Sequence, residues 1–268
     1  MSVQESVDPA IQQAVSLLNA GRAAQAAAAL QLICNELNTN PEHWFMLGAA
    51  QGKSGNPAAA ERALRQALKL NPRHLQAAYN LATLLLGQGK FEQAVAPFKQ
   101  VLAIKPAHRP SKLGLINALT QLQRCGEAES LCTEIRETEP DNVPAITWLG
   151  NIRMLQGRIN EALALFDQAL SLEPGSVAAL MNKGLALKSS GDFDAAIDQF
   201  QRVTSLAPGL DAAWVLLGTS WLAKGDMAKA APCFDKAFQV NPGNLKAADQ
   251  LANVYRHLRR VDDAADVC

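Results

Sequence analysis

Residues 213–242 read AWVLLGTSWLAKGDMAKAAPCFDKAFQVNP. Trp214 and Trp221 lie two helical turns apart in one apolar stripe, which Gly225 interrupts. A second stripe of helical spacing follows and ends before Pro242, because the residue that precedes a proline is pushed out of the helical region. The stretch therefore predicts two helices joined by a tight turn.

The same pattern recurs every 34 residues without an insertion. Three residue types mark the register: Ala26, Ala60, Ala94, Ala128, Ala162, Ala196, Ala230 and Ala264; Pro72, Pro106, Pro140, Pro174, Pro208 and Pro242; and Gly21, Gly55, Gly89, Gly157, Gly191 and Gly225. A fixed period of about 34 residues is typical of stacked helical hairpins, none of which can bury its apolar face alone. We predict an all-α single array over 1–268, with units starting near residues 7, 41, 75, 109, 143, 177, 211 and 245 and the last one truncated.

The composition agrees with this fold class. Apolar residues make up 49% of the chain and aromatic residues only 5%, which favours closely packed helices. Basic and acidic residues both total 25, so no strong field attracts nucleic acid or an anionic membrane. We expect neither of these partners.

One set of residues resembles the pattern of the tetratricopeptide repeat (TPR) family, in which W-x-x-L-G is followed by A-x-x-x-F and then by P. Two units carry it most fully, in Trp44, Leu47, Gly48, Ala60, Leu64 and Pro72, and in Trp214, Leu217, Gly218, Trp221, Ala230, Phe234, Ala237 and Pro242. The resemblance extends over almost the whole chain and implies a right-handed superhelical α-solenoid. It also implies that the first helix of each unit lines a concave groove that binds an extended peptide.

Mapped onto this chain, the family's groove positions alternate between apolar and amide or hydroxyl residues. The expected peptide-binding residues are Phe45, Tyr79, Asn80, Thr83, Asn117, Trp148, Asn151, Met181, Asn182 and Thr219. Asparagine amides can both donate to and accept from a peptide backbone, and the large apolar groups could hold its side chains. A second interpretation stays open, in which each Asn forms a hydrogen bond with a neighbouring turn of helix and the large apolar groups belong to the core between repeats.

Some chaperone-binding domains of the TPR family hold the terminal carboxylate of a peptide with Lys and Asn side chains. A ligand of that kind would need basic residues at the matching groove positions of this chain. Lys112 and Arg153 fall at other helix positions. We therefore expect an internal, uncharged segment as the ligand.

Residues typical of metal or catalytic sites are scattered. No C-x-x-C spacing links the five cysteines, Cys34, Cys125, Cys132, Cys233 and Cys268, and the four histidines, His43, His74, His108 and His257, have no metal-pairing neighbour one turn away. We expect no cofactor, no metal, no catalysis within these residues and a reducing, cytoplasmic compartment.

The leading functional hypothesis is a non-catalytic scaffold that binds a protein or peptide partner. An alternative is the N-terminal substrate-recruiting arm of a glycosyltransferase, sulfotransferase or hydroxylase type of enzyme, with the catalytic domain beyond residue 268. The last unit stops inside its expected second helix, and this motivates the alternative. The same end also suggests self-association through an uncapped C-terminal face.

The unit that starts at residue 109 departs from the pattern. Lys112 stands at an apolar position, and Gln123 replaces the turn glycine, with Gly126 nearby as a substitute. We expect this unit to pack more loosely.

The register itself gives a stability prediction. Replacing Ala162 with Leu should lower the free energy of unfolding by about 1–3 kcal/mol, because bulk at the crossing of two helices forces them apart. Thermal unfolding measures the effect. An unchanged melting temperature would count against the register.

Overall fold

The structure, a computed structural model, describes residues 3–36 and 39–257. Its regular elements in this part of the chain are all α-helices, which alternate as first and second helices of hairpins. The first helices are α1 (Val3–Asn19), α3 (Pro41–Lys53), α5 (Leu75–Gly87), α7 (Arg109–Gln121), α9 (Val143–Leu155), α11 (Val177–Ser189), α13 (Asp211–Ala223) and α15 (Leu245–His257). The second helices are α2 (Ala23–Glu36), α4 (Pro57–Leu70), α6 (Phe91–Ile104), α8 (Cys125–Thr138), α10 (Ile159–Leu172), α12 (Phe193–Leu206) and α14 (Met227–Val240). None of these helices has both the length and the apolar character needed to cross a bilayer.

The chain divides into two compact units, which we call unit 1 (Met1–Leu131) and unit 2 (Cys132–Cys268). The boundary falls inside α8. Within each unit, neighbouring first and second helices pack against each other along the chain. The expected single array over 1–268 stays a prediction. The truncated last helix and the C-terminal face expected to self-associate lie outside the described residues.

The turn between the two helices of a hairpin requires a left-handed backbone at one position. Six glycines take it, with φ between 71° and 84°, and Gln123 takes it in the seventh turn with φ 57°. This turn closes with the same backbone bonds as its neighbour: Arg124 N–H donates to Leu119 C=O at 2.9 Å, as Arg158 N–H does to Arg153 C=O at 2.8 Å. The expectation that Gly126 substitutes for the missing glycine is wrong, because Gly126 lies inside α8.

Side-chain caps fix where the first helices begin. Asn142 and Asn244 accept the backbone N–H three residues later, both at 3.0 Å. His74 and His108 do the same through Nδ1, at 3.3 Å. An acceptor at this position satisfies one of the amide groups that a helix leaves unpaired at its start.

Pairs of a glycine and a large side chain set the crossing of the two helices of a hairpin. A Cβ atom added to the glycine would lie within 3 Å of the partner side chain in the pairs Gly48 and Leu64 (2.7 Å), Gly150 and Phe166 (2.4 Å), Gly184 and Phe200 (2.6 Å), and Gly218 and Phe234 (2.8 Å). The ring or methyl group therefore lies directly on the helix backbone. All four large side chains are at most 2% exposed.

The hairpin that starts at Leu75 meets the same requirement in another way. Ala82 stands where those hairpins have glycine, and Phe98 lies instead against Gly114 of the next hairpin, where an added Cβ would be 2.3 Å from the ring. Phe98 is 1% exposed. The ring keeps a contact with bare backbone, although the helix that supplies it is different.

The left-handed conformation of Gln123 predicts that glycine is the better residue there. Gln123→Gly should raise the free energy of unfolding by about 0.5–1 kcal/mol, because the steric cost of a side chain at positive φ exceeds the entropic cost of glycine. Urea unfolding followed by circular dichroism measures this change.

The control for this substitution is Gln88→Gly. Gln88 follows α5 directly and lies one position before the turn glycine Gly89, and its φ is −86°. Glycine relieves no strain there and should lower stability by about 0.5–1 kcal/mol. If both variants lose stability, strain at Gln123 is refuted.

Candidate functional site

The ten residues expected to bind a peptide all lie on first helices. Unit 1 contributes Phe45 on α3, Tyr79, Asn80 and Thr83 on α5, and Asn117 on α7; unit 2 contributes Trp148 and Asn151 on α9, Met181 and Asn182 on α11, and Thr219 on α13. Nine are half-buried and Thr83 is exposed. We call the surface that they form within each unit the first-helix face.

In unit 1, a groove of about 540 Å³ brings three of these residues together: Tyr79, Asn80 and Thr83. Its opposite wall is α3. Gly48 and Gly52 have no side chains that would fill the groove, and Lys53 lies at the end of the helix. The groove thus combines an apolar floor with the amides of Asn80 and Gln88, the hydroxyls of Tyr79 and Thr83, and the ammonium group of Lys53. Sequence reasoning did not place Gly48, Gly52 and Lys53 in the site.

The four asparagines of the first-helix faces are without internal hydrogen bonds. The side-chain amides of Asn80, Asn117, Asn151 and Asn182 bond to no other residue in 3–36 and 39–257. The second interpretation, in which they bond neighbouring turns, therefore does not fit the described part of the chain. Each amide keeps two donors and an acceptor for another molecule.

The apolar members of the set are already packed against neighbours. The Phe45 ring lies 4.9 Å from the ring of His74, and the Tyr79 ring lies 5.2 Å from that of His108, measured between centroids. Met181 packs against the buried core of unit 2. In each of these three residues, at least one side of the side chain is therefore in contact with neighbouring residues and is not open to a ligand.

The histidine beside Phe45 is held by two bonds that set its tautomer. Nδ1 of His74 accepts the N–H of Ala77, so the proton is on Nε2, which donates to the Glu42 carboxylate at 3.1 Å. The His74 side chain is 6% exposed. It therefore links the start of α3 to the start of α5 and fixes the platform on which Phe45 lies.

Lys188 is a basic residue on the first-helix face that sequence reasoning missed. Its Nζ donates to Oγ1 of Thr219 at 2.7 Å. Burial, and secondly the positive charge of Lys246, hold the pKa of Lys188 below its usual range. The available signal was its spacing, because Lys188 follows Met181 by seven residues and so lies on the same side of α11.

The described residues offer little for covalent or metal chemistry. No group of three or more His, Cys, Asp or Glu side chains among them could hold a metal ion. Burial raises the pKa of the Cys34 and Cys233 thiols to about 11, so both are protonated and unreactive at neutral pH.

Comparison with protein families settles the membership of this chain. A tetratricopeptide repeat profile matches residues 45–109, 149–211, 184–243 and 215–268, and a second tetratricopeptide repeat profile matches residues 85–147. The chain belongs to the TPR family. Membership supports a role as a protein-interaction scaffold in general. No curated protein is significantly similar in sequence.

Solved structures confirm the fold class. A tetratricopeptide repeat protein from Parabacteroides merdae matches with a TM-score of 0.83 and 20% identity, over 93% of this chain and 99% of that one. Yeast Tom70 matches with a TM-score of 0.74 and 17% identity over 91% of this chain. The Cut9–Hcn1 hetero-tetramer of the APC/C matches with a TM-score of 0.65 and 18% identity over 90% of this chain. This TPR chain spans 53% and 48% of those two chains. At these identities the likeness shows the all-α solenoid fold alone.

The contacts predict that two adjacent residues of α5, Tyr79 and Asn80, contribute differently to the stability of the fold. Tyr79→Ala should lower the free energy of unfolding by about 1–3 kcal/mol, because the ring packs on Phe98 and His108. Asn80→Ala should leave it unchanged or raise it by up to about 0.5 kcal/mol, because no internal bond is lost and alanine favours the helix. Urea unfolding of the two variants measures the difference. A loss of more than about 1 kcal/mol in Asn80→Ala would show that its amide is structural.

Proposed function

We propose that this TPR protein is a non-catalytic scaffold that binds an extended peptide segment of a partner protein on its first-helix faces. The observation that carries the proposal is the set of four half-buried asparagine amides with no internal partner in the described residues. Each amide can bond to water in the free protein, and a ligand with polar groups can replace that water. Asn80 and Asn182 share one register of the repeat, and Asn117 and Asn151 share another about one helical turn away, so a ligand that offers several polar groups along its length is favoured.

An extended peptide backbone is a ligand of that kind. Each of its residues presents one N–H and one C=O, and an asparagine side chain can bind either group. In unit 2, Asn151 and Asn182 lie on α9 and α11, which contact each other, so one segment could reach both. We expect an affinity on the order of micromolar, about −8 kcal/mol, because ordering a flexible peptide offsets much of the contact energy.

The proposal includes no reaction on the described residues. It places the protein in a reducing cytoplasm, which the free thiols of Cys34, Cys125 and Cys233 favour. The alternative role, substrate recruitment for a catalytic domain beyond residue 268, would use the same peptide-binding surface. It rests on the sequence alone.

The test is peptide selection followed by binding measurements. A phage-displayed library of random 12-residue peptides is selected on the wild-type protein, and enriched peptides are synthesised with a fluorescent label. Fluorescence anisotropy should give dissociation constants in the micromolar range. The double variant Asn151→Ala and Asn182→Ala should weaken binding several-fold, because two bonds to the peptide backbone are lost.

The matched control is Asn160→Ala with Gln201→Ala. Both side chains are exposed on second helices, α10 and α12, and their loss should leave the dissociation constant unchanged. Far-ultraviolet circular dichroism checks that neither double variant loses helicity. Equal affinity of wild type and the Asn151 and Asn182 variant would refute the amide contacts, and a library that yields no binding peptide would refute the proposed function.

A further inference from the structure

Lys188 carries a charge that no acidic group of the described chain neutralises. Its ammonium has three N–H donors, and one of them bonds to Thr219. No carboxylate forms an ion pair with Lys188 or Lys246 in 3–36 and 39–257. Lys188 is half-buried, which makes an uncompensated charge there more costly than on an open surface.

Two carboxylates near the ends of α13, the helix that carries Thr219, are bound to other groups. Asp211 accepts from the side-chain amides of Asn241 and Asn244, both at 2.8 Å. Asp226 pairs with Lys229 at 3.0 Å. These bonds stabilise the ionised carboxylates and hold their pKa values below the usual range.

The position of the Lys188 ammonium is set by Thr219. The hydroxyl of Thr219 donates to Leu216 C=O at 3.0 Å, so its free lone pair faces the ammonium and accepts from it. A lysine in the last turn of a helix often donates to the carbonyl groups at the end of that helix. Lys188 is in the last turn of α11 but donates to Thr219 on α13 instead. Two N–H donors and the nearby positive charge of Lys246 remain for a third partner.

We propose that Lys188, held by Thr219, binds the carboxylate of an Asp or Glu side chain of the peptide on the first-helix face of unit 2. This inference rests on the proposed function and specifies its ligand. An anion at this place supplies the missing counter-charge and reduces the repulsion between the two lysines. For unit 2 the proposed segment carries one acidic residue, whereas the sequence alone led us to expect an uncharged one.

The experiment extends the peptide selection. The random 12-residue library is selected in parallel on wild type, on Lys188→Gln and on Lys183→Gln. Lys183 is the matched control, because it is on the same helix and its loss changes the net charge equally, but it is already paired with Asp167 at 2.6 Å. Thermal unfolding checks that all three proteins are folded.

We expect an Asp or Glu at one fixed place in peptides selected on wild type and on Lys183→Gln, and no such preference on Lys188→Gln. A selected peptide should bind Lys188→Gln about tenfold more weakly than wild type, and its Asn or Gln analogue should bind both proteins equally weakly. Raising the salt concentration should weaken binding of the acidic peptide to wild type.

Two results would overturn the inference, and they are distinguishable. In the first, the selected peptides bind wild type with micromolar affinity but show no preference for Asp or Glu, or their affinity falls equally in both lysine variants. Either finding refutes the role of Lys188 and leaves the proposed function in place. A selection that enriches no peptide on wild type refutes the proposed function and this inference together.

Discussion

The contact of a large side chain with bare helix backbone is the constraint on which each hairpin depends. Phe166, Phe200 and Phe234 lie so close to Gly150, Gly184 and Gly218 that a single methyl group on the glycine would overlap the ring. This contact holds the first helix at a short distance from the second and directs the apolar side of both helices into the core. The remaining side of the first helix then carries polar groups, such as Asn80 and Asn182, beside side chains such as Tyr79 and Met181 that still pack against neighbours.

The constraint concerns volume more than residue identity. Phe98 satisfies it with Gly114 of the next hairpin, because Ala82 does not leave room within its own hairpin. The unit that starts at residue 109 has Ile116 and Cys132 at the two positions, which transfers bulk from the second helix to the first. Both residues are fully buried. The expectation that the hairpin starting at residue 109 packs more loosely stays a prediction. Exchanges that conserve volume are the kind that a close-packed core tolerates best.

The period of the sequence predicts the helices because each repeat carries its own start and stop signals. The first helices from α3 to α15 begin at intervals of 34 residues, and a left-handed turn residue recurs at the same spacing. Gln123 shows the limit of such reasoning: the turn needs a backbone conformation, and a glycine three residues away cannot supply it. Lys188 shows another limit, because its partner Thr219 lies on the next hairpin and only the packing of helices brings them together.

Separate sets of residues therefore carry packing and recognition on the same helix. On α11, Gly184 fixes the crossing with α12 while Asn182 and Lys188 leave donors unused, and Met181 contributes to both surfaces. Substitution of Asn182 or Lys188 costs the fold little, since neither is part of the buried core. A repeat protein of this construction can change its ligand by altering a few positions per hairpin, while the glycine and phenylalanine pairs keep the helices where they are. Its specificity then depends on the few polar groups that the core leaves without partners.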